Sequence, residues 1–582
     1  MGGIPKEIET TLQVGDYFRA YDLATSALEY DPANLNLQYA ILLALARTGA
    51  NRQARARLTA LLDPMKPKKE MPGQLAEDFA AMDARLLKNL AFEETGEKRR
   101  TLATQSARQY EASYAIKGGH FPAINAATMW LIADEPERSR AMAYSALANI
   151  GQENGYWPLA SAAEAHLLLG EVPAARKALA SAMALPTADL ADKAATRRQM
   201  ALLCDKLAIS WPSIDVPPTS IIIHYCSDEF DEISSSDAEG PDDEIDRLIS
   251  GQIIDSAFGA IRNSTELLVT ERLLAHGIDV LLVLPSGSNS LAETIGDGHG
   301  NFLHRLEACI EKLRDPPLVM TLDSQGSDAL FALSARCAMG LAVMRAGHLM
   351  MDARQVAFRR TGNPANSVSI HIVDISTRSF QELTPIEHSV LADAGSRGFS
   401  LSGYEIKALV FCDIKGFSKV SERSMPAFID LVLGGLAEEI NKYQSDVEYK
   451  ETAGDGIYIV FRGVVAAANC ALALAARINN LSPSPLPPLG IRVSAHVGAV
   501  FPTVDPVTGF RKFFGSEVIR AARIEPITPV GECYVTEQFA SILALEGGSN
   551  FNCDYAGVLE SAKGYGAFRM YSLRHRKAVE QF

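Results

Sequence analysis

The chain contains no run of about 18 consecutive apolar residues, the length a helical membrane span requires. Its first residues, MGGIPKEIETTLQ, lack the apolar stretch of a secretory leader. Both absences predict a cytoplasmic protein with no membrane span. Cysteine is scarce, with 8 in 582 residues, and Cys204, Cys226, Cys309, Cys337, Cys412, Cys470, Cys533 and Cys553 show no C-x-x-C pair or metal-ligand spacing. That pattern excludes a disulfide framework and suits reduced thiols packed in cores. Positive charge is in deficit: 55 Lys and Arg against 70 Asp and Glu give a formal net charge of -15. Nucleic acid and anionic membranes are thus disfavoured as main partners, and any phosphate site must be local. A chain of 582 residues also exceeds what one hydrophobic core organises, so several domains are expected.

Residues 1–212 are rich in Ala and Leu at helical spacing, as in YDLATSALEYDPANLNLQYAILLALARTGA. Small residues such as Ala24, Ala27, Ala40 and Ala44 permit close helix contact, and DPAN breaks the first helix before the second. Similar pairs recur in GGHFPAINAATMWLIADEPERSRAMAYSAL and YWPLASAAEAHLLLGEVPAARKALASAMAL. The recurrence predicts an α-helical repeat region and resembles a tetratricopeptide array. GGHFPAINAAT and ATRRQMALL are similar to the helical TRAF-binding region of signalling proteins. Such a surface implies a protein partner. Helical periodicity alone fits an ordinary bundle equally well.

WPSIDVPPTS marks a boundary, after which the period changes. SIIIHYC and IDVLLVLP read as buried parallel strands separated by a helical stretch, which predicts a doubly wound α/β domain over 218–375. The loop SDEFDEISSSDAEGPDDE is acidic and has no G-x-G-x-x-G cradle, so it opposes phosphate. The order of elements resembles Rossmann-like nucleotide-sensor domains related to the lysine-decarboxylase-like (LOG) fold, with Glu271 as a remnant. That resemblance implies a degenerate domain, structural or regulatory. A polar linker is expected over 376–404.

Residues 405–576 read as strand (IKALVFCDI), helix (PAFIDLVLGGLAEEINKY), hairpin (VEYKETAGDGIYIVF), helix, strand (LGIRVSAHVGAV), a helix around EVIRAARIE, and strands YVT and FRMYSL. Asp413 is placed at the end of the first strand and Asp455 at the hairpin tip. An unpaired buried carboxylate costs roughly several kcal/mol unless a cation or donors compensate it. Two converging carboxylates beside a glycine turn suit Mg²⁺, which takes its remaining ligands from water and substrate phosphates. Gly416 is expected to leave the backbone N–H groups of the Ile414 to Phe417 turn free to approach a polyphosphate.

FCDIKGFS, ETAGDGIYIVF, FFGSEVIRAARIE and AKGYGAFRMY, in this order, resemble the catalytic domain of class III nucleotidyl (adenylate/guanylate) cyclases. The resemblance implies a ferredoxin-like α/β domain working as a head-to-tail homodimer on a nucleoside triphosphate. It implies two Mg²⁺ ions, replaceable by Mn²⁺, at Asp413, Asp455 and the backbone of Ile414. Gly416, Phe417 and Lys563 would bind phosphate, with Lys563 supplied by the partner chain, and Arg523 would stabilise the transition state. Where the family orients the ribose with asparagine, this chain has Ile519, and the neighbouring Arg520 is either a substitute or a solvated side chain. Of the base selectors, Glu451 suits guanine, because a carboxylate accepts from N1–H and the 2-amino group. Lys512 fits neither purine pattern, and a one-residue shift would bring Lys450 near the base. The products left open are cyclic AMP, cyclic GMP or a cyclic pyrimidine nucleotide. A catalytically weak, nucleotide-sensing scaffold is the alternative.

Overall fold

The computed structural model describes residues 4–13, 16–62, 73–151, 155–186, 188–227, 241–295, 301–321, 328–360, 368–375, 403–479 and 486–576. Most of the acidic loop after SIIIHYC and most of the expected linker over 376–404 lie outside these residues.

Helices follow one another from Lys6 to Lys206. Tyr17–Tyr30 pairs with Leu35–Thr48, His120–Ile132 with Pro136–Ile150, and Tyr156–Leu168 with Val172–Met183. The DPAN break works as a stop and a start. Asn34 accepts from the backbone N–H groups of Asn36 and Leu37, capping the second helix, and Gly49 ends that helix in the left-handed region at φ 90°. Ala40 and Ala44 are fully buried at the contact.

The central unit is a six-stranded sheet of β1 (Ser220–Ser227), β2 (Ile253–Ala260), β3 (Asp279–Ser286), β4 (Leu318–Thr321), β5 (Ala353–Arg360) and β6 (Val368–Asp374). The order is β4-β3-β2-β1-β5-β6. The first five strands are parallel and β6 is antiparallel. Glu271 forms a bidentate ion pair with Arg305 (2.7 and 2.8 Å), a helix-to-helix tie. One helix bears on the membrane expectation. Ala329–Leu349 is long and apolar enough, by length and composition alone, to cross a membrane. Here it packs against β1, β2, β3 and β5 and, on its other side, against the helix Glu537–Glu546. A Cβ at Gly340 would stand 2.1 Å from the Ser541 carbonyl oxygen, so this contact requires glycine.

The last unit has one sheet of eight strands: β7 (Glu405–Lys415), β8 (Val447–Ala453), β9 (Gly456–Phe461), β10 (Gly490–Val504), β11 (Arg511–Phe514), β12 (Cys533–Thr536), β13 (Phe551–Glu560) and β14 (Ala567–His575). The order is β13-β14-β12-β10-β7-β9-β8, with β11 pairing on β10. Strand alternation divides β7 between two faces. Ala408, Val410, Cys412 and Ile414 pack in the main core, which includes the helix Val464–Asn479. Leu409 and Phe411 face a smaller cluster with Tyr449, Tyr458, Phe513 and Ala521. Asp413 continues this second face. The expected helix PAFIDLVLGGLAEEINKY is one rod with a π-helical stretch at Phe428–Leu433 before Gly434–Asn441.

The three units touch. Tyr555 donates to Asp22 at 2.7 Å, and a Cβ at Gly557 would lie 2.7 Å from the Tyr21 ring, so the helix Tyr17–Tyr30 is seated on β13. Arg520 reaches from the last unit to the Met320 carbonyl on β4 at 2.9 Å.

Candidate active site

β7 and β9 are antiparallel, with Asp413 opposite Gly456, so the hairpin tip carrying Asp455 folds beside the end of β7. The Ile414 N–H donates to the Asp455 carbonyl at 3.3 Å. This corrects the expectation that the Ile414 N–H stays free for phosphate. The Ile414 side chain is buried, which leaves only its backbone for a ligand role. Gly416 turns the chain at φ 95°, where a Cβ would stand 2.9 Å from the Pro488 carbonyl oxygen. Phe417 packs against Phe428 with tilted rings whose centroids are 4.9 Å apart, anchoring the turn to the core.

Asp413 is not an unpaired buried charge. Its side chain is 26% exposed, and Arg492, its cross-strand partner on β10, donates to Oδ2 at 2.6 Å. The offset expected of a metal is therefore supplied in part by a guanidinium. Nε of the same Arg492 lies 2.8 Å from Glu525 Oε1. Burial pushes Glu525 up to about 7; Arg492 opposes the shift, while Asp413 and Asp455 add to it. Asp413, Asp455 and Glu525 thus share one electrostatic neighbourhood around one cation. Sequence reading missed both Arg492 and Glu525. Arg492 is found only through the β7–β10 register, 79 residues away, whereas Glu525 was visible in AARIE.

These residues fit a divalent metal. Carboxylates and a backbone carbonyl are hard oxygen donors of the kind Mg²⁺ prefers. Among the described residues no group of three or more His, Cys, Asp or Glu is spaced to hold an ion. A two-carboxylate site that completes its shell with substrate oxygens is consistent with that.

On the same face the two positions expected to select the base meet. Lys512 Nζ lies 3.1 Å from Glu451 Oε2 and 3.5 Å from Asp505 Oδ2. Tyr449 donates to Glu451 at 2.5 Å. Lys450, the other residue considered, donates to Asn441 and Gln444, as the alternation of β8 demands. The lysine beside Glu451 is Lys512, while Lys450 points to the other face of β8.

The helix Ser516–Ile524 connects the two ends of the sheet. At its start, the Ser516 carbonyl accepts from Tyr565 at 3.4 Å, in the loop that carries exposed Lys563. At its end, Arg523 stands two residues before Glu525. Strand directions separate Lys563 from Asp413: β10 and β12 are parallel, while β7 and β14 are antiparallel to them. Asp413 is thus at one end of the sheet and Lys563 at the other, three strand spacings away, or about 14 Å laterally. Ile519, 47% exposed, lies one turn before Arg523 on the same face. Arg520 is neither ribose-orienting nor solvated. It is buried, pairs with Glu517 at 3.0 Å and lies over the Phe568 ring. Glu517 in turn meets His496 at 2.7 Å, and burial depresses the His496 pKa.

Residues 401–575 match the adenylate and guanylate cyclase catalytic domain, and residues 16–130 match the tetratricopeptide repeats-sensor domain. No curated protein matches the chain. Among solved structures, the guanylate cyclase domain of RhGC from Catenaria anguillulae, in complex with GTP, is 22% identical; the match covers 30% of this chain and 98% of that one, with a TM-score of 0.27. The dimeric guanylyl cyclase domain of the RhoGC fusion protein from Blastocladiella emersonii is 22% identical, covering 30% and 98%, with a TM-score of 0.26. The adenylyl cyclase CyaB from P. aeruginosa is 16% identical, covering 29% and 94%, with a TM-score of 0.26.

Proposed function

We propose, from the premise that residues 401–575 are a class III adenylate/guanylate cyclase catalytic domain and residues 16–130 a tetratricopeptide repeats-sensor domain, that the chain cyclises a nucleoside triphosphate. The products are a 3′,5′-cyclic monophosphate and pyrophosphate. The observation that carries this reading is the juxtaposition of Asp413 and Asp455 at one end of the sheet, beside the helix end that bears Arg523. Asp413, Asp455 and the Ile414 carbonyl would hold divalent metal ions, Mg²⁺ or Mn²⁺, which when bound acidify the ribose 3′-hydroxyl and neutralise charge on the pyrophosphate. Gly416 lets the turn approach the phosphates closely. Arg523 donates to the phosphoryl oxygens as charge develops, a contact whose loss typically costs about 10²-fold or more in rate.

Lys563 is too far along the sheet to serve the carboxylates of its own chain, which favours a head-to-tail homodimer in which Lys563 of a second copy binds phosphate. The Glu451–Lys512 pair offers one acceptor and one donor to a base edge. Guanine suits it, with Glu451 accepting from N1–H and the 2-amino group and Lys512 donating to O6. The helical unit, seated on β13, gives the repeats a physical route to regulate the cyclase.

The second reading, a weak or inactive nucleotide-sensing scaffold, is favoured by Ile519, which has no hydrogen bond to offer a ribose. Incubating the purified chain separately with ATP, GTP, CTP and UTP, with Mg²⁺ or Mn²⁺, decides between them. Cyclic product and stoichiometric pyrophosphate support the cyclase. Neither product from any of the four, in a sample confirmed to be dimeric, overturns it.

A further inference from the structure

A cavity of about 220 Å³ opens inside the helical unit, far from the cyclase site in sequence and built from different residues. Its lining is cationic: Arg47, Arg85, Lys88 and Arg198 all contribute. The charges are unequally compensated. Arg47 pairs with Asp192 at 3.0 Å. Lys88 donates to two neutral amide oxygens, those of Asn125 (2.7 Å) and Gln199 (2.8 Å). Arg198 donates to the backbone carbonyl of His348 at 2.8 Å and to that of Gly347 at 3.5 Å. Arg85 has no carboxylate partner among the described residues, and burial lowers its pKa. The acid in the lining is Glu164, which accepts from Gln199 at 2.6 Å; burial raises its pKa, and the Lys88 ammonium opposes that shift.

Arg85 and Arg198 thus face the cavity with no ion-pair partner among the described residues, although Arg85 feels the field of Asp192. Arg85 is half-buried and Arg198 exposed; removing a cation from water without a counter-charge is costly, and packing alone would favour an apolar residue at position 85. Such an arrangement in a concave site marks a binding site for the missing charge. A guanidinium fork matches phosphate bidentately, and two uncompensated positive charges match a phosphate monoester, which carries about -1.5 to -2 near pH 7. Trp157 and Phe121 also line the cavity and present aromatic surface to an attached ring.

We propose that the helical unit binds a small phosphate monoester carrying a planar ring in this cavity, with Arg85 and Arg198 on the phosphate and Trp157 on the ring. The site also touches the central unit, because His348 lines it and Arg198 holds the last carbonyls of the helix Asp328–Leu349. That same helix packs against Glu537–Glu546 of the cyclase unit, so a ligand drawing Arg198 from those carbonyls acts on an element that the cyclase contacts directly.

The test uses the full chain carrying Asp413→Ala, which disables the proposed metal site, titrated in EDTA by calorimetry with adenosine 5′-monophosphate, adenosine and inorganic phosphate. Adenosine monophosphate binding at or below about 1 mM, with the other two at least about tenfold weaker, is the expected result. Arg85→Gln is expected to weaken that binding by about tenfold or more while leaving the ligand-free melting temperature equal or higher. Should Arg85→Gln fail to fold, Arg198→Gln gives the same decision. No binding of adenosine monophosphate up to about 1 mM, or binding that survives both arginine substitutions, overturns the site. Equal affinity for inorganic phosphate overturns the assigned ligand class. Because the cyclase site is disabled throughout, these outcomes do not depend on whether the chain makes a cyclic nucleotide.

Discussion

The Arg492 guanidinium stands 2.6 Å from Asp413 and 2.8 Å from Glu525, so one cation holds two carboxylates at the end of the central strand pair. Any divalent metal at Asp413 must share that carboxylate with Arg492. Replacing the guanidinium by a neutral amide, Arg492→Gln, leaves the acids uncompensated. The variant is expected to melt earlier than the native chain in EDTA and to gain more from added Mg²⁺. Thermal melts with and without the ion measure both. An equal response to Mg²⁺ in the two proteins would separate Arg492 from the metal site.

Catalytic loss without loss of fold is expected at two positions. Arg523 makes no ion pair among the described residues, and Asp455 lies at a hairpin tip, so Arg523→Ala and Asp455→Asn should keep the native melting temperature within a few degrees. Product formation should fall by about 10²-fold or more in each. Product persisting at the native rate in Asp455→Asn would remove that carboxylate from the metal site.

Lys512→Ala releases Glu451 from its ion pair and takes the proposed O6 donor away. Turnover of GTP is expected to drop through KM, by about tenfold, with little effect on stability because the pair is partly exposed. The charge-exchanged variant Glu451→Lys with Lys512→Glu keeps the pair but should lose its preference for guanine. Competition assays with GTP and ATP read both effects.

At Gly340 the helix Asp328–Leu349 meets the Ser541 backbone with no room for a side chain. Gly340→Val should therefore prise the central unit from the helix Glu537–Glu546, costing about 1–3 kcal/mol and increasing protease access at the interface. A substitution tolerated without change in melting temperature would mean that the two units do not pack this way in solution.

Asp22 predicts a pH dependence for the contact between the helical unit and β13. Burial raises it from 3.8 to about 6, with the Tyr555 hydrogen bond opposing the shift. A carboxyl whose folded pKa lies above its unfolded one stabilises the fold most below the unfolded value, and that contribution is lost as pH rises through the folded value. The Asp22 contribution should thus fall between about pH 4 and pH 6. Asp22→Asn is expected to flatten the decline and raise the melting temperature at pH 7.5. A pH profile identical to that of the native chain would sink this assignment.

What the sequence by itself determined is local. The alternation in ALVFCDI, the A-G-D-G tip, the DPAN break and the Ala-rich helix pairs each follow from backbone and side-chain preferences within a few residues, and each lies where the pattern put it. The neighbourhood of Asp413 and Asp455 was legible for the same reason, since a strand and the hairpin after it are joined in chain order. Tertiary structure decided everything that depends on register between distant segments. Arg492 faces Asp413 only because β10 pairs with β7 in one register, and Lys512 meets Glu451 only because β11 folds back over the sheet. Arg520 is buried against β4 because another unit covers a helix face that would otherwise be solvated. The unbalanced charge of Arg85 and Arg198 is invisible in a chain of net acidic charge, because compensation is a matter of which carboxylates lie within a few ångströms, and that is fixed only when helices far apart in sequence close around one cavity.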